Sequence, residues 1–115
     1  VSTLAAIADK MWTQQHIPGE TVIHQGELSK NFYIVRRGEV EILREADGNE
    51  RRVAILGEGD CFGEEALLRN QPRNATVRTT QPTILYILGE QDFRAALSAS
   101  EPLREELQKV LFERQ

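Results

Sequence analysis

The central part of the chain repeats apolar and polar positions with a period of two, which is typical of half-buried β-strands. Val40 and Ile42, for example, alternate with Glu39 and Glu41. The turn residues Asp47-Gly48-Asn49 then predict a hairpin, because aspartate and glycine tolerate a positive φ. Further strands are predicted at residues 21–24, 31–37, 51–56, 75–79 and 83–88. About eight short strands joined by Gly and Pro turns favour an antiparallel sandwich or roll over alternating strands and helices.

Helical spacing of apolar residues appears towards the two ends of the chain and once between them. Ser2 can cap a first helix, and Ser100 a last one with Pro102 in its first turn. Residues 64–68 favour a short helix, and another is predicted to begin near Glu90. The apolar stripes of the terminal helices are Leu4, Ile7, Ala8 and Met11 at one end and Leu103, Leu107, Val110 and Leu111 at the other. The predicted fold class is therefore mainly β with flanking helices.

The composition agrees with a single globular domain. The 115 residues are 40% apolar and 28% charged, with a net charge of −4, which excludes a disordered tail, a collagen-like repeat and a disulfide scaffold. No apolar run is long enough to cross a membrane, and the acidic balance argues against nonspecific nucleic-acid binding. The single cysteine, Cys61, cannot form an internal disulfide and predicts a cytoplasmic location. Since the chain begins at Val1 and ends on an apolar helix, we expect residues 1–115 to be one domain of a longer protein.

Candidate chemistry is concentrated between residues 62 and 77. Gly63 precedes the predicted short helix, whose first N–H groups have no partners within the helix and favour an anion. Arg73 follows ten residues after Gly63, and its planar guanidinium can bind an oxyanion through two parallel hydrogen bonds. Glu64, at the start of the helix, can accept hydrogen bonds from hydroxyl groups. Together these groups describe a site for a small ligand that carries both a phosphate and a sugar hydroxyl.

This stretch resembles the phosphate-binding cassette of the cyclic nucleotide-binding domain family. Residues 62–67 (FGEEAL) and 72–77 (PRNATV) are similar to the two halves of the cassette, at the usual spacing. Residues 17–27, 32–40 and 56–60 also look like the family, so the resemblance covers nearly the whole chain. It implies an eight-stranded antiparallel β-roll with helices packed outside, the last of which moves as a lid over the base of the ligand.

The resemblance also implies a role for each cassette residue. Arg73 would pair with an equatorial oxygen of the cyclic phosphate, and Glu64 would accept the ribose 2′-OH. Gly63 would allow close approach, while main-chain amides at residues 64–67 and just after Arg73 would bind phosphate oxygens. The predicted ligand-binding residues are Leu56, Phe62, Gly63, Glu64, Glu65, Ala66, Leu67, Arg73, Asn74 and Ala75. No catalytic residue, metal or cofactor is predicted.

Two positions depart from the usual pattern of the family. Glu65 stands where an apolar residue is common. Asn74 stands where cAMP sites often have Ala and cGMP sites often have Thr, whose hydroxyl reaches the guanine amino group. Because Asn74 is neither, the choice of base is open at this point. We favour cAMP as the ligand, with cGMP as the alternative.

Other functions fit fewer features of the sequence. A metal-dependent enzyme on a similar roll, as in cupins, needs clustered ligands, whereas His16 and His24 form no His-x-His pair. A transcription factor of the catabolite-activator type would add a DNA-binding module after this chain, which would then be its sensor half. A degenerate roll used for protein interaction would not need Gly63, Glu64 and Arg73.

The sequence therefore predicts a regulatory domain, not an enzyme, that binds a cyclic nucleotide and relays its occupancy through the C-terminal helix. Its expected partners are the nucleotide and an attached effector domain. We expect no direct nucleic-acid contact and no membrane contact from this chain. The apolar stripe of the C-terminal helix can also support an oligomer.

Overall fold

Two four-stranded sheets form the body of the fold. The computed structural model describes residues 10–63, 70–99 and 101–102. Within these ranges the strands are β1 (Trp12–His16), β2 (Thr21–Ile23), β3 (Phe32–Arg37), β4 (Val40–Ala46), β5 (Asn49–Leu56), β6 (Cys61–Phe62), β7 (Thr76–Thr79) and β8 (Thr83–Leu88), and helix α1 spans Glu90–Ala99. The sheets have the orders β1-β8-β3-β6 and β2-β7-β4-β5, and every neighbouring pair is antiparallel. The predicted fold class, a mainly β antiparallel roll of eight strands, is confirmed.

Strand β3 is apolar along most of its length because both of its faces are covered. Phe32 and Ile34 pack on one face with Phe93 of helix α1. Tyr33 and Val35 pack on the other face, in a cluster to which both sheets contribute. The alternation of side chains along the strand therefore divides the core in two, one cluster under helix α1 and one between the sheets.

The β4–β5 hairpin turns at Asp47 and Gly48, as predicted. Their φ values are +55° and +79°, and two successive positive values are what a two-residue type I′ turn requires. Ala46 and Asn49 face each other directly across the turn. Strand β5 therefore begins at Asn49, slightly earlier than the predicted start at residue 51.

Strands β1 and β6 carry too little pattern to be predicted individually. Strand β1 is mostly exposed and lies at the edge of its sheet, paired with β8 alone, so it needs no alternation of apolar residues. Strand β6 has 2 residues, too few to show a period. The helix predicted near Glu90 is confirmed by helix α1.

The remaining predicted helices fall largely outside the described residues. This holds for the helices expected at residues 2–11, at residues 64–68 and after residue 100. Met11, at the end of the first, packs against the cluster of Phe32 and Phe93. Residues 101–102, in the last, are helical.

Candidate functional site

Arg73 is a buried arginine, 5% exposed, whose guanidinium is held by hydrogen bonds from each of its three nitrogens. Nη1 donates to the carbonyl oxygen of Gly63 at 2.7 Å. Nη2 donates to the carbonyl oxygen of Asn31 at 2.8 Å, and Nε donates to the hydroxyl of Ser29 at 3.3 Å. Because a guanidinium is costly to bury without acceptors, these bonds both permit the burial and fix the orientation of the charge.

The main chain of Arg73 is paired with residues 24–31, which we call the β2–β3 loop. The amide of Arg73 donates to the carbonyl of Glu27 at 2.9 Å, and the amide of Gly26 donates to the carbonyl of Arg73 at 2.7 Å. The loop is closed on itself because the amide of His24 donates to the Glu27 carboxylate at 2.7 Å. One short loop thus holds both the main chain and, through Ser29 and Asn31, the side chain of Arg73.

Gly63 is a position where the structure requires glycine. Its φ is +92°, in the left-handed region that other residues seldom adopt. A Cβ atom built there would lie 2.7 Å from the Asn31 carbonyl oxygen and 3.1 Å from Arg73 Nη1. The absent side chain therefore leaves the room through which the Gly63 carbonyl reaches the guanidinium.

A stacked aromatic pair lies beside Gly63. Tyr33 and Phe62 face each other across strands β3 and β6, with ring centroids 4.8 Å apart and planes inclined by 6°. Burial raises the pKa of Tyr33, while a hydrogen bond with the Asn31 side chain and the positive charge of Arg73 act in the opposite direction. The phenol therefore stays neutral near pH 7, and its ring lies close to Gly63.

Comparison with known protein families identifies the domain that contains Arg73 and the loop that holds it. The family model of the cyclic nucleotide-binding domain matches residues 14–100, a range that contains the β2–β3 loop, Gly63 and Arg73. The chain belongs to the cyclic nucleotide-binding domain family. The resemblance found in the sequence is thereby confirmed.

Relatives of the chain include regulatory proteins of eukaryotes and bacteria. A cAMP-dependent protein kinase regulatory subunit of Pyricularia oryzae is 36% identical over 108 residues, which cover 90% of this chain and 27% of that protein. The crystal structure of Thermus thermophilus catabolite activator protein has a TM-score of 0.89 at 27% identity, over 97% of this chain and 53% of that one. The regulatory domain of Toxoplasma gondii PKA, co-crystallised with cAMP, has a TM-score of 0.78 at 36% identity, over 82% of this chain and 36% of that one. The chain thus spans 27% to 53% of the length of these relatives.

The cyclic nucleotide-binding domain is a regulatory module, and the kinase relative is a regulatory rather than a catalytic subunit. The expectation that this domain is not an enzyme is therefore confirmed. Across the residues that the structure describes, no three His, Cys, Asp or Glu side chains come together as a metal ion would need. In the same ranges, no helix has the length and apolar character to span a membrane.

The structure brings several of the predicted cassette residues together. Gly63 contacts Arg73 as described above, and Leu56 is buried in the same cluster as Phe62. After Arg73, the side chain of Asn74 is exposed while Ala75 is buried. The other predicted binding residues, Glu64, Glu65, Ala66 and Leu67, lie outside the described residues.

Two residues that hold Arg73 were not among the predicted site residues. Asn31 acts through its carbonyl oxygen, which any residue type could supply, so its identity carries no signal. Ser29 uses a hydroxyl but stands in a polar loop where serine is common. Gly26 is the residue from which the support of Arg73 could have been suspected. Its φ of +91° marks a turn that folds the β2–β3 loop back onto Arg73.

Proposed function

We propose that this domain binds cAMP in preference to cGMP and passes its occupancy to an attached effector. The observation that carries the proposal is the buried guanidinium of Arg73, oriented by Ser29, Asn31 and Gly63. A binding group that is already oriented loses less entropy when the ligand arrives. The regulatory subunit of Pyricularia oryzae and the cAMP-bound domain of Toxoplasma gondii support the assignment of ligand class.

In this proposal the cyclic phosphate binds to Arg73 and to main-chain amides. The chain carries a net charge of −4, so attraction of an anion depends on the local charge rather than on the long-range field. Arg73 supplies that charge for an equatorial oxygen, and the amides of residues 64–67, Asn74 and Ala75 supply further donors. Each charge-assisted hydrogen bond contributes about 1.5–3 kcal/mol. Glu64 accepts the ribose 2′-OH.

The preference for cAMP concerns Asn74. Its side chain is exposed next to Arg73, where it can reach either the phosphate or the base. A primary amide can both donate and accept a hydrogen bond, so Asn74 is compatible with either base. Both relatives named above for the ligand class are cAMP proteins, which favours cAMP here.

The test is calorimetric titration of refolded, ligand-stripped protein with cAMP, cGMP and 2′-deoxy-cAMP. We expect micromolar or tighter binding of cAMP, weaker binding of cGMP, and a loss of about tenfold for the 2′-deoxy analogue, because one hydrogen bond to a carboxylate disappears. In Glu64→Ala, cAMP and its 2′-deoxy analogue should bind equally. No binding of either nucleotide would refute the function, and tighter cGMP binding would reverse the selectivity.

The relay is proposed to run through the C-terminal helix. A ligand shifts a helix between two states only through its different affinity for them, and apolar residues such as Leu107 and Leu111 can cover the base in one state. Amide hydrogen exchange of residues 101–115 should therefore slow when cAMP is bound, and it should be unchanged in a variant that does not bind cAMP. Equal exchange with and without cAMP in the wild-type protein would contradict the relay.

A second candidate for the parent protein is a catabolite-activator-type regulator. The superposition on the Thermus thermophilus protein over 97% of this chain supports it, and it makes this domain the sensor half of a transcription factor. In both cases we place the protein in the cytoplasm, with contact to nucleic acid, if any, made by another domain. Size-exclusion chromatography of Leu107→Glu against wild type tests whether the C-terminal helix also forms an oligomer.

A further inference from the structure

Residues 29–33 make contacts that alternate between the anion site and helix α1. Ser29, Asn31 and Tyr33 lie against Arg73 and Gly63. Lys30 and Phe32 lie instead against helix α1. The ring of Phe32 packs against that of Phe93, with centroids 4.8 Å apart and planes tilted by 34°. Ser29 contacts Arg73 through its hydroxyl and Asn31 does so through its main-chain carbonyl, whereas Lys30 and Phe32 contact the helix through their side chains. One short segment therefore touches both the charged group and the helix.

Lys30 is the charged residue on the helix side of this segment, and it joins two elements. Its ammonium nitrogen donates to Asn70 Oδ1 and lies 3.6 Å from Glu90 Oε2. Asn70 stands three residues before Arg73 and has a φ of +53°, so its main chain makes a tight local bend. Glu90 is the first residue of helix α1. Lys30 therefore connects the segment that leads into Arg73 with the start of the helix.

The ion pair at Glu90 differs from an ordinary surface pair. Among the described residues, Glu90 Oε2 is covered and has no hydrogen-bond partner, and the ammonium of Lys30 lies close to this covered oxygen. The other oxygen, Oε1, lies 4.0 Å from Arg94 Nε. Both side chains are about two-thirds covered, so removing one partner leaves the other charge only partly compensated by water. An exposed pair contributes far less.

Helix α1 offers a matched exposed pair for comparison. Lys10 Nζ lies 3.9 Å from Asp92 Oδ1, and these side chains are 65% and 44% exposed, against 36% and 34% for Lys30 and Glu90. Lys10 thus also bridges to the first turn of the helix. This ion pair joins Lys10, which precedes β1, to the helix and involves no residue of the β2–β3 loop.

We propose that Lys30 is a positioning residue that couples the Arg73 anion site to helix α1. The inference rests on the proposed function, since the ligand is taken to be a cyclic nucleotide. When the phosphate engages Arg73, the β2–β3 loop adjusts through Ser29 and Asn31, and Lys30 carries that adjustment to Glu90. Coupling of two sites is reciprocal. If nucleotide binding changes the equilibrium between two states of the helix by some factor, those two states differ in nucleotide affinity by the same factor.

The experiment compares Lys30→Met, Glu90→Gln and the charge-exchanged double variant Lys30→Glu/Glu90→Lys with the control Lys10→Met. Calorimetry gives the Kd for cAMP, and hydrogen exchange gives the protection of residues 90–99 with and without cAMP. We expect Lys30→Met and Glu90→Gln to raise the Kd about fivefold and to abolish the effect of cAMP on helix exchange. The charge-exchanged variant should recover most of the cAMP affinity and most of the effect of cAMP on helix exchange. The Kd of Lys10→Met should stay within about twofold of the wild-type value.

Two results would overturn the coupling even though cAMP binds. One is a Lys30→Met variant with the same Kd and the same helix exchange as Lys10→Met. The other is a Glu90→Gln variant in which cAMP still slows helix exchange as much as in the wild type.

If the wild-type protein binds neither nucleotide, the proposed function fails, and the coupling is then tested by hydrogen exchange of the ligand-free protein. Glu90→Gln should then speed the exchange of amides 73–76, at the far end of the Lys30 connection, whereas Asp92→Asn should not. Equal exchange in these two variants would overturn the coupling independently of the function.

Discussion

Arg73→Ala is expected to weaken cAMP binding by at least about 100-fold. The variant leaves a phosphate without its cationic partner in a site shielded from water, which costs about 3–5 kcal/mol, and each 1.4 kcal/mol corresponds to about a factor of ten in Kd. The substitution also removes the donors to the carbonyls of Asn31 and Gly63. An unsatisfied buried acceptor costs about 1–3 kcal/mol, so the protein should also unfold at a lower temperature.

Two further variants separate binding from folding. Arg73→Lys keeps the charge but cannot reproduce three directed bonds from one planar group, so we expect a loss of at least about tenfold with a smaller loss of stability. Arg78→Ala is the control, since Arg78 stands on β7 and pairs with Glu50 at 3.2 Å in a partly exposed site. Calorimetry gives the Kd for cAMP of Arg73→Ala, Arg73→Lys and Arg78→Ala, and thermal unfolding gives their stability. Unchanged affinity in a folded Arg73→Ala protein would remove Arg73 from the site.

Gly63→Ala is expected to have the second-largest effect. Alanine in the left-handed region costs about 1–2 kcal/mol, and here its Cβ would also lie 2.7 Å from the Asn31 carbonyl and 3.1 Å from Arg73 Nη1. A contact of that length forces the loop or the guanidinium to move. We expect the free energy of unfolding to fall by about 3 kcal/mol and the Kd for cAMP to rise at least tenfold, roughly the effect of misplacing a positioned binding group.

Gly48→Ala provides the matched control for backbone strain. Gly48 has a φ of +79°, and a Cβ built there meets nothing within 4 Å. The alanine should therefore cost about 1–2 kcal/mol of stability through its φ alone and leave cAMP affinity unchanged. Chemical unfolding and calorimetry on both variants give the comparison. If Gly63→Ala and Gly48→Ala lose the same stability and neither loses affinity, the contacts at Gly63 have no role in binding.

The sequence was most informative where structure depends on neighbouring residues. Strand β3 and the Asp47-Gly48 turn were predictable because side-chain alternation and positive φ are local properties. Gly63 and Arg73 could be paired because their spacing belongs to a known motif. Strand β1 could not be predicted, since an exposed edge strand does not need an apolar face to form.

The support around Arg73 was beyond the reach of the sequence for a different reason. Asn31 and Arg73 are separated by 42 residues along the chain, and their bond uses a main-chain carbonyl. The connection of Lys30 to Asn70 and Glu90 likewise joins three distant segments. Such contacts depend on the final packing of the β2–β3 loop against β3 and α1, which no local pattern encodes.

Among the described residues, two acceptors of the Arg73 guanidinium are main-chain carbonyls, and this has an evolutionary consequence. A substitution at residue 31 changes a side chain but leaves the main-chain carbonyl in place, so the hydrogen bond to Arg73 can survive it. A deletion within residues 24–31 moves the carbonyl itself and breaks the bond. Homologues that keep the arginine should therefore share the length of this loop more often than its amino-acid sequence.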